Sequence, residues 1–140
     1  MSSSLSEVDA SNFYNALVHG YDIANLRPHP PGYPIYMLAG WYFSLLVGDP
    51  LYALTLLSAL SGSLAIVPFY LLIQRLVGWS YALVGSILFI ANPLVWSHSE
   101  AALSDIPTMA LVILAVWLTV LGRENKTAFL SSFVVMSLAI

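Results

Sequence analysis

The chain has 140 residues, 59% of them apolar and 8% charged, against roughly 25% charged in a soluble domain. A water-soluble fold of this length could not bury so much apolar surface, and the mean hydropathy of +0.85 agrees, so the sequence reads as an integral membrane protein. Four Lys/Arg against seven Asp/Glu, a net charge of −3, leave no nucleic-acid footprint, and the lack of Cys excludes disulfides, thiolate metal sites and thiol nucleophiles.

The opening, Met1 to Ser6, is polar and lacks the basic-then-apolar order of a signal peptide. From Asp9 a half-apolar stretch sets Phe13, Ala16 and Leu17 at helical spacing, and Asp9 suits its N-cap. Gly20-Tyr21-Asp22 follows, then His29-Pro30-Pro31-Gly32-Tyr33-Pro34. In that run three prolines fix φ, Gly32 permits a positive φ, and Pro34 suits a first helical turn. Residues 1–34 therefore read as a loop whose last run, 29–34, is a stiff turn that either holds side chains above a bilayer or simply leads into the next helix.

Residues 35–47 are apolar but, as a helix, reach only about 20 Å, short of a hydrocarbon core of about 30 Å, so an interfacial helix is expected. Transmembrane helices follow at about 51–74, 81–97 and 106–121. Trp79, Tyr81 and Trp96 bracket the second as interfacial aromatics do, and Pro107 falls in the first turn of the third. A last stretch, 128–140, stops inside an apolar run, so the chain reads as truncated there. Ser58 with Gly62, Ala59 with Ser63, and Ser61 with Ala65 give the first span small residues at helix-packing spacing.

With 35–47 at the interface, Arg75, Arg123 and Lys126 share one side, cytoplasmic by the positive-inside bias. Glu7, Asp9, Asp22, Asp49, Glu100 and Asp105 fall opposite, with Arg27. Asp105 also suits the N-cap of a helix from Ile106, and His98 suits an exposed loop. Asn125-Lys126-Thr127 matches a glycosylation triplet but lies on the cytoplasmic side of this topology.

The order of these motifs resembles a known family. A D-x-x-x-F-Y stretch from Asp9, then H-P-P-G-Y-P and an apolar helix, is similar to the first extracytoplasmic loop of GT-C-class glycosyltransferases, in particular the dolichyl-phosphate-mannose protein-mannosyltransferase-like branch. The likeness continues through Gly48-Asp49-Pro50, Arg75, Asn92-Pro93-Leu94-Val95-Trp96 and Ser104-Asp105-Ile106-Pro107. It implies an all-α, multi-span membrane bundle that moves a sugar, mannose-like, from a polyprenyl-phosphate donor to a protein, lipid or glycan acceptor. The active face would be extracytoplasmic, in a plasma or ER membrane.

Such enzymes invert at the anomeric carbon, so the resemblance implies a carboxylate general base, and by position that is Asp9. It further implies that Asp105 with Glu100 places the acceptor or a divalent metal, that His29 and Arg27 meet the donor phosphate, and that Tyr33 is among the donor- or acceptor-binding residues. Two departures stand out. Asn12 occupies a position often acidic in the family, so an acidic pair in this loop must use Glu7 or Asp22. The family also places a span before the loop, and none is present, so the chain reads as a fragment at both ends. A transporter subunit, an intramembrane protease and a non-catalytic scaffold are the alternatives. The full spans carry no charge, which disfavours an ion carrier and leaves no intramembrane aspartate. No G-x-S-x-G supports a serine hydrolase.

Overall fold

The structure, a computed structural model, describes residues 8–139 as helices α1 (Val8–His19), α2 (Pro34–Val47), α3 (Pro50–Val77), α4 (Trp79–Ile90), α5 (Pro93–Ser99), α6 (Asp105–Leu121) and α7 (Lys126–Leu138), with a short 3-10 turn at Ile23–Asn25. No strand occurs among the described residues. Proline sets where three of these helices begin. Pro34, Pro50 and Pro93 each open a helix, where the missing N–H was unpaired in any case and the fixed φ is already helical. Polar caps reinforce two of these starts and a third helix: Asp49 accepts from Tyr52 N, Asn92 from Leu94 N and Asn125 from Thr127 N, each at 2.9 Å. Asn125 is thus occupied as a helix cap, which accounts for the glycosylation-like triplet and starts α7 two residues earlier than expected.

α3 is the axis of the molecule. α2, α4 and α6 pack on it, α7 packs on α6, and α1 lies across α2 and the first half of α3. The two-residue turn Gly48–Asp49 folds α2 back along α3 as a hairpin, with Gly40 against Leu54. Ser58, Gly62 and Ala65 are the buried small residues of α3, and Ser58 Oγ donates to Leu103 O at 2.9 Å. Gly62 lets α5 and α6 approach closely, since a Cβ there would stand 2.5 Å from Ser99 Oγ and 3.2 Å from Ile106 Cγ2.

The helix expected over 81–97 is broken. α4 and α5 meet at 55°, because Pro93 cannot donate to the helix behind it and holds Asn92 in an extended conformation at ψ 117°. The carbonyl of Ile90, freed by the break, accepts the Trp96 indole N–H at 2.6 Å. His98, expected in a loop, lies on α5. Asp105 is not the cap of α6 but its first residue, with Ser104 at the cap.

Among the described residues α3 alone is long and apolar enough to cross a membrane. α4 and α5 pass the same test jointly as a bent pair, and α2, α6 and α7 are shorter apolar helices. The outward faces of α3, α4 and α7 are apolar, with Leu64, Val67, Val84, Ile87, Leu88 and Phe133 exposed, a surface that water does not favour. The ends differ in charge. Arg75 pairs with Glu124 at 2.6 Å, which sets the C-terminus of α3 beside the α6–α7 turn and gathers Arg75, Arg123 and Lys126 at one end.

Close packing at Gly62 generates the first prediction. Gly62→Leu should destabilise the protein by about 1–3 kcal/mol through overpacking. Gly85→Ala, where the added methyl meets only Phe69 at 3.6 Å, should be neutral or mildly stabilising. Thermal unfolding in detergent reads both, and equal shifts would contradict the packing.

Candidate functional site

α1 buries Ala10, Phe13 and Ala16, a stripe at helical spacing, and these share one core with Tyr36, Met37, Leu54, Ala102 and Leu103. Phe13, 1% exposed, is the centre. Its ring lies 5.4 Å from His29, 5.3 Å from Tyr33 and 4.9 Å from Tyr36, the two tyrosines edge-on, and His29 meets Tyr33 at 5.2 Å. Edge-to-face rings at these distances attract beyond their buried area.

Asp9 lies one turn before Phe13 on the same helix, so both reach the same neighbours. It lies within α1 rather than capping it. Its side chain is 57% exposed, and Oδ1 stands 3.7 Å from His29 Nδ1. That nitrogen is enclosed and makes no hydrogen bond. Asp9 and His29, twenty positions apart, are thus brought together.

The loop between α1 and α2 is held by its own polar side chains. Arg27 N donates to Asp22 O at 2.9 Å and Asp22 N to Arg27 O at 2.5 Å. The Arg27 guanidinium holds Asp22 Oδ2 at 3.1 Å and the His19 carbonyl at 3.3 Å. Asn25 Nδ2 donates to Asp22 Oδ2 at 2.6 Å. The Asn25 side-chain amide does most to hold the Asp22 carboxyl below the ordinary carboxylate value; desolvation opposes it, and the Arg27 guanidinium adds a lesser lowering. Gly32, at φ +100°, is roofed by Tyr21 and Ile23, and the Tyr21 hydroxyl donates to Gly32 O at 3.1 Å. The peptide bonds Arg27–Pro28 and Pro30–Pro31 are cis.

Tyr36 is the residue that sequence reasoning missed. Burial pushes its phenol above the ordinary value, so it remains protonated. The hydroxyl lies beside Ser58 without the geometry of a full hydrogen bond, and Asp105 is near enough to act on it. A tyrosine two places after Pro34, within an otherwise apolar turn, was the available signal. Asp105 and Glu100 are exposed and border this end of the bundle. Asp105 follows the Ala102–Leu103 core, and Glu100 edges a cavity of about 270 Å³ with Gly62, Phe89, Trp96 and Ser99. Glu7, weighed as an acidic partner, lies outside the described residues, and Asp22 is tied to Arg27. No three His, Asp or Glu residues come together as a metal site among the described residues.

From Tyr36 an apolar groove of about 560 Å³ runs along α3 and α6, past Ala65, Pro68 and Leu114 to Leu71 and Trp117. The step from Leu57 to Leu71 along the α3 wall of the groove is about 21 Å. Its lining is apolar apart from Tyr36, Ser61, Thr108 and Trp117.

The profile of one protein family, the Protein O-mannosyl-transferase TMEM260 N-terminal domain, matches residues 23–140. The chain belongs to that family. No curated protein and no solved structure was found to match it. The TMEM260 N-terminal match takes in the H-P-P-G-Y-P block, α2 and every later helix, while α1 with Asp9 precedes it. The family name is that of a protein O-mannosyltransferase, which agrees with the mannosyltransferase side of the resemblance.

The loop contacts generate a second prediction. Asp22, with its pKa lowered from 3.8, keeps its partners as pH falls through that value and loses them only on further acidification through its folded pKa. Hydrogen exchange across residues 20–28, corrected for its intrinsic pH dependence, should stay slow to below about pH 4. Asp22→Asn should raise it several-fold at neutral pH. Equal exchange in the variant would show that the loop does not depend on the carboxylate.

Proposed function

We propose that this chain forms the reaction end of a GT-C-type protein O-mannosyltransferase, in which mannose passes from a polyprenyl-phosphate carrier to a hydroxyl of a protein acceptor with inversion. The observation that carries the proposal is the meeting of Asp9 with His29 of the H-P-P-G-Y-P block, on a core shared with Tyr36, which also lines an apolar groove, in a chain of an O-mannosyltransferase family.

The acceptor oxygen attacks the anomeric carbon, and the bond from that carbon to the phosphate oxygen breaks with its electron pair on the phosphate. Asp9 takes the hydroxyl proton as general base. Its exposed carboxylate on a helix seated by Phe13 suits that part: it is open to a substrate yet fixed in place. The groove would take the isoprenoid tail, which pins the phosphate near Tyr33 and Tyr36. Asp105 and Glu100 would border the acceptor side. Arg27, already bound to Asp22 and the His19 carbonyl, would serve the donor site as the brace of its loop. In a membrane, α3, the α4–α5 pair, α6 and α7 would cross, with Asp9 and Asp105 on the extracytoplasmic face.

Two outcomes test this reading in the full-length protein in membranes. Asp9→Asn should lower mannose transfer from dolichyl-phosphate-mannose by three or more orders of magnitude, on the scale of losing an acid–base group together with its positioning, while insertion is unchanged. Transfer at the wild-type rate would remove Asp9 as the base. The chain has no Cys, so single cysteines report topology directly. Cysteine at position 18 or 100 should react with a membrane-impermeant thiol reagent in sealed vesicles that present the extracytoplasmic face, and cysteine at position 127 should not. Opposite labelling of positions 18 and 100 would separate the two carboxylates and end the proposal.

A further inference from the structure

His29 was expected to meet the donor phosphate, yet the geometry turns one of its ring nitrogens inward. We propose that His29 is a positioning residue for Asp9, holding Oδ1 through Nδ1–H so that Oδ2 faces the acceptor hydroxyl. The inference rests on Asp9 being the general base.

Three observations converge on it. His29 Nδ1 is enclosed, has no hydrogen-bond partner, and has Asp9 Oδ1 at 3.7 Å. An enclosed ring nitrogen without a partner is costly, and a neighbouring carboxylate is the acceptor that selects the Nδ1–H tautomer. The ring cannot readily swing elsewhere, because Phe13 and Tyr33 flank it at 5.4 and 5.2 Å and Pro30-Pro31 follows it. Asp9 and His29 also share one anchor: Phe13 lies one turn beyond Asp9 on α1 and touches the His29 ring. Contacts of this kind are commonly long before substrate binds and shorten in the reacting complex.

The division of labour between the two oxygens follows from exposure. His29 is 22% exposed and Asp9 57%, so one side of the carboxylate faces the ring and the remainder is open to substrate. During transfer the acceptor proton ends on Asp9 Oδ2, and His29 neither gains nor loses one. A carboxylate free to rotate about its last bond would present either oxygen; the imidazole removes that freedom before the acceptor arrives.

The test uses the full-length protein in membranes with dolichyl-phosphate-mannose as donor and, as acceptor, secretory protein from cells lacking the enzyme. His29→Phe keeps the ring packing and removes both nitrogens; kcat should fall about 100-fold, the scale of a misplaced reacting group, with the donor KM unchanged. His29→Asn, which returns an N–H close to the Nδ1 position, should recover most of the loss, and His29→Gln, which places its amide near Nε2, should not. In an Asp9→Asn background His29→Phe should cost nothing further. A raised donor KM at constant kcat, rescue by Gln instead of Asn, or a full loss in the Asp9→Asn background would each overturn the proposal in favour of a phosphate ligand. If the wild type transfers no mannose, the function reading fails. The pair is then judged by thermal unfolding of Asp9→Asn, His29→Phe and the double variant: less-than-additive shifts support the contact, and additive shifts overturn it.

Discussion

The seat of Phe13 is the contact on which the Asp9–His29 arrangement depends. That ring touches His29, Tyr33 and Tyr36 together, and its helix carries Asp9. Around it close three pieces of chain that are far apart in sequence: α1, the proline loop leading into α2, and the Ala102–Leu103 segment before α6. Removing the ring would leave a large cavity, and truncations of buried Phe usually cost about 3–5 kcal/mol. Through α1, the same ring also ties the position of the Asp9 carboxylate to that of the His29 ring.

A second junction carries this arrangement into the helical bundle. Tyr36 stands on α2, Ser58 on α3 and Leu103 ahead of α6, and the Ser58–Leu103 hydrogen bond binds the last two at a fully buried point. A buried polar contact of this kind is costly to leave unmade, so it specifies one register between α3 and the start of α6. Asp105, two residues beyond Leu103, takes its place from that register, and so does the mouth of the apolar groove. The loop side is held more lightly, by the exposed Asp22, Asn25 and Arg27 cluster, whose worth lies in shape more than in stability.

The helices were legible where composition and punctuation agreed: the apolar runs announced themselves and Pro34 marked a start, whereas Asp49-Pro50 and Asn125 carried start signals that went unread. The break in the helix expected over 81–97 was legible too, but Asn92-Pro93 was read as part of a motif and not as the conformational stop that a residue before proline imposes. Asp105 was weighed as a cap because aspartate favours that place, and Ser104 took it instead, one residue earlier. The contact between Asp9 and His29 could not be read at all. It depends on a loop closed by side chains at positions 22, 25 and 27 and on a ring seated between two helices, neither of which has a periodic signature. Tyr36 was hidden for the opposite reason, since a tyrosine in an apolar helix looks like any other core aromatic.

The proline-headed helices have a consequence for how this protein would live in membranes of unequal thickness. A helix whose start is set by ring geometry and a side-chain cap cannot gain or shed a turn there to match its surroundings. α3, at 28 residues and so about 42 Å long, exceeds a typical hydrocarbon core, and its first turns are already committed to α1 and α2. Were the bundle to span a bilayer, hydrophobic mismatch would be met by tilt of the whole bundle or by deformation of the lipid. Because the loop and the head of α3 are packed as one piece, a tilt would raise or lower Asp9, His29 and Asp105 together, preserving their spacing while changing their height above the bilayer.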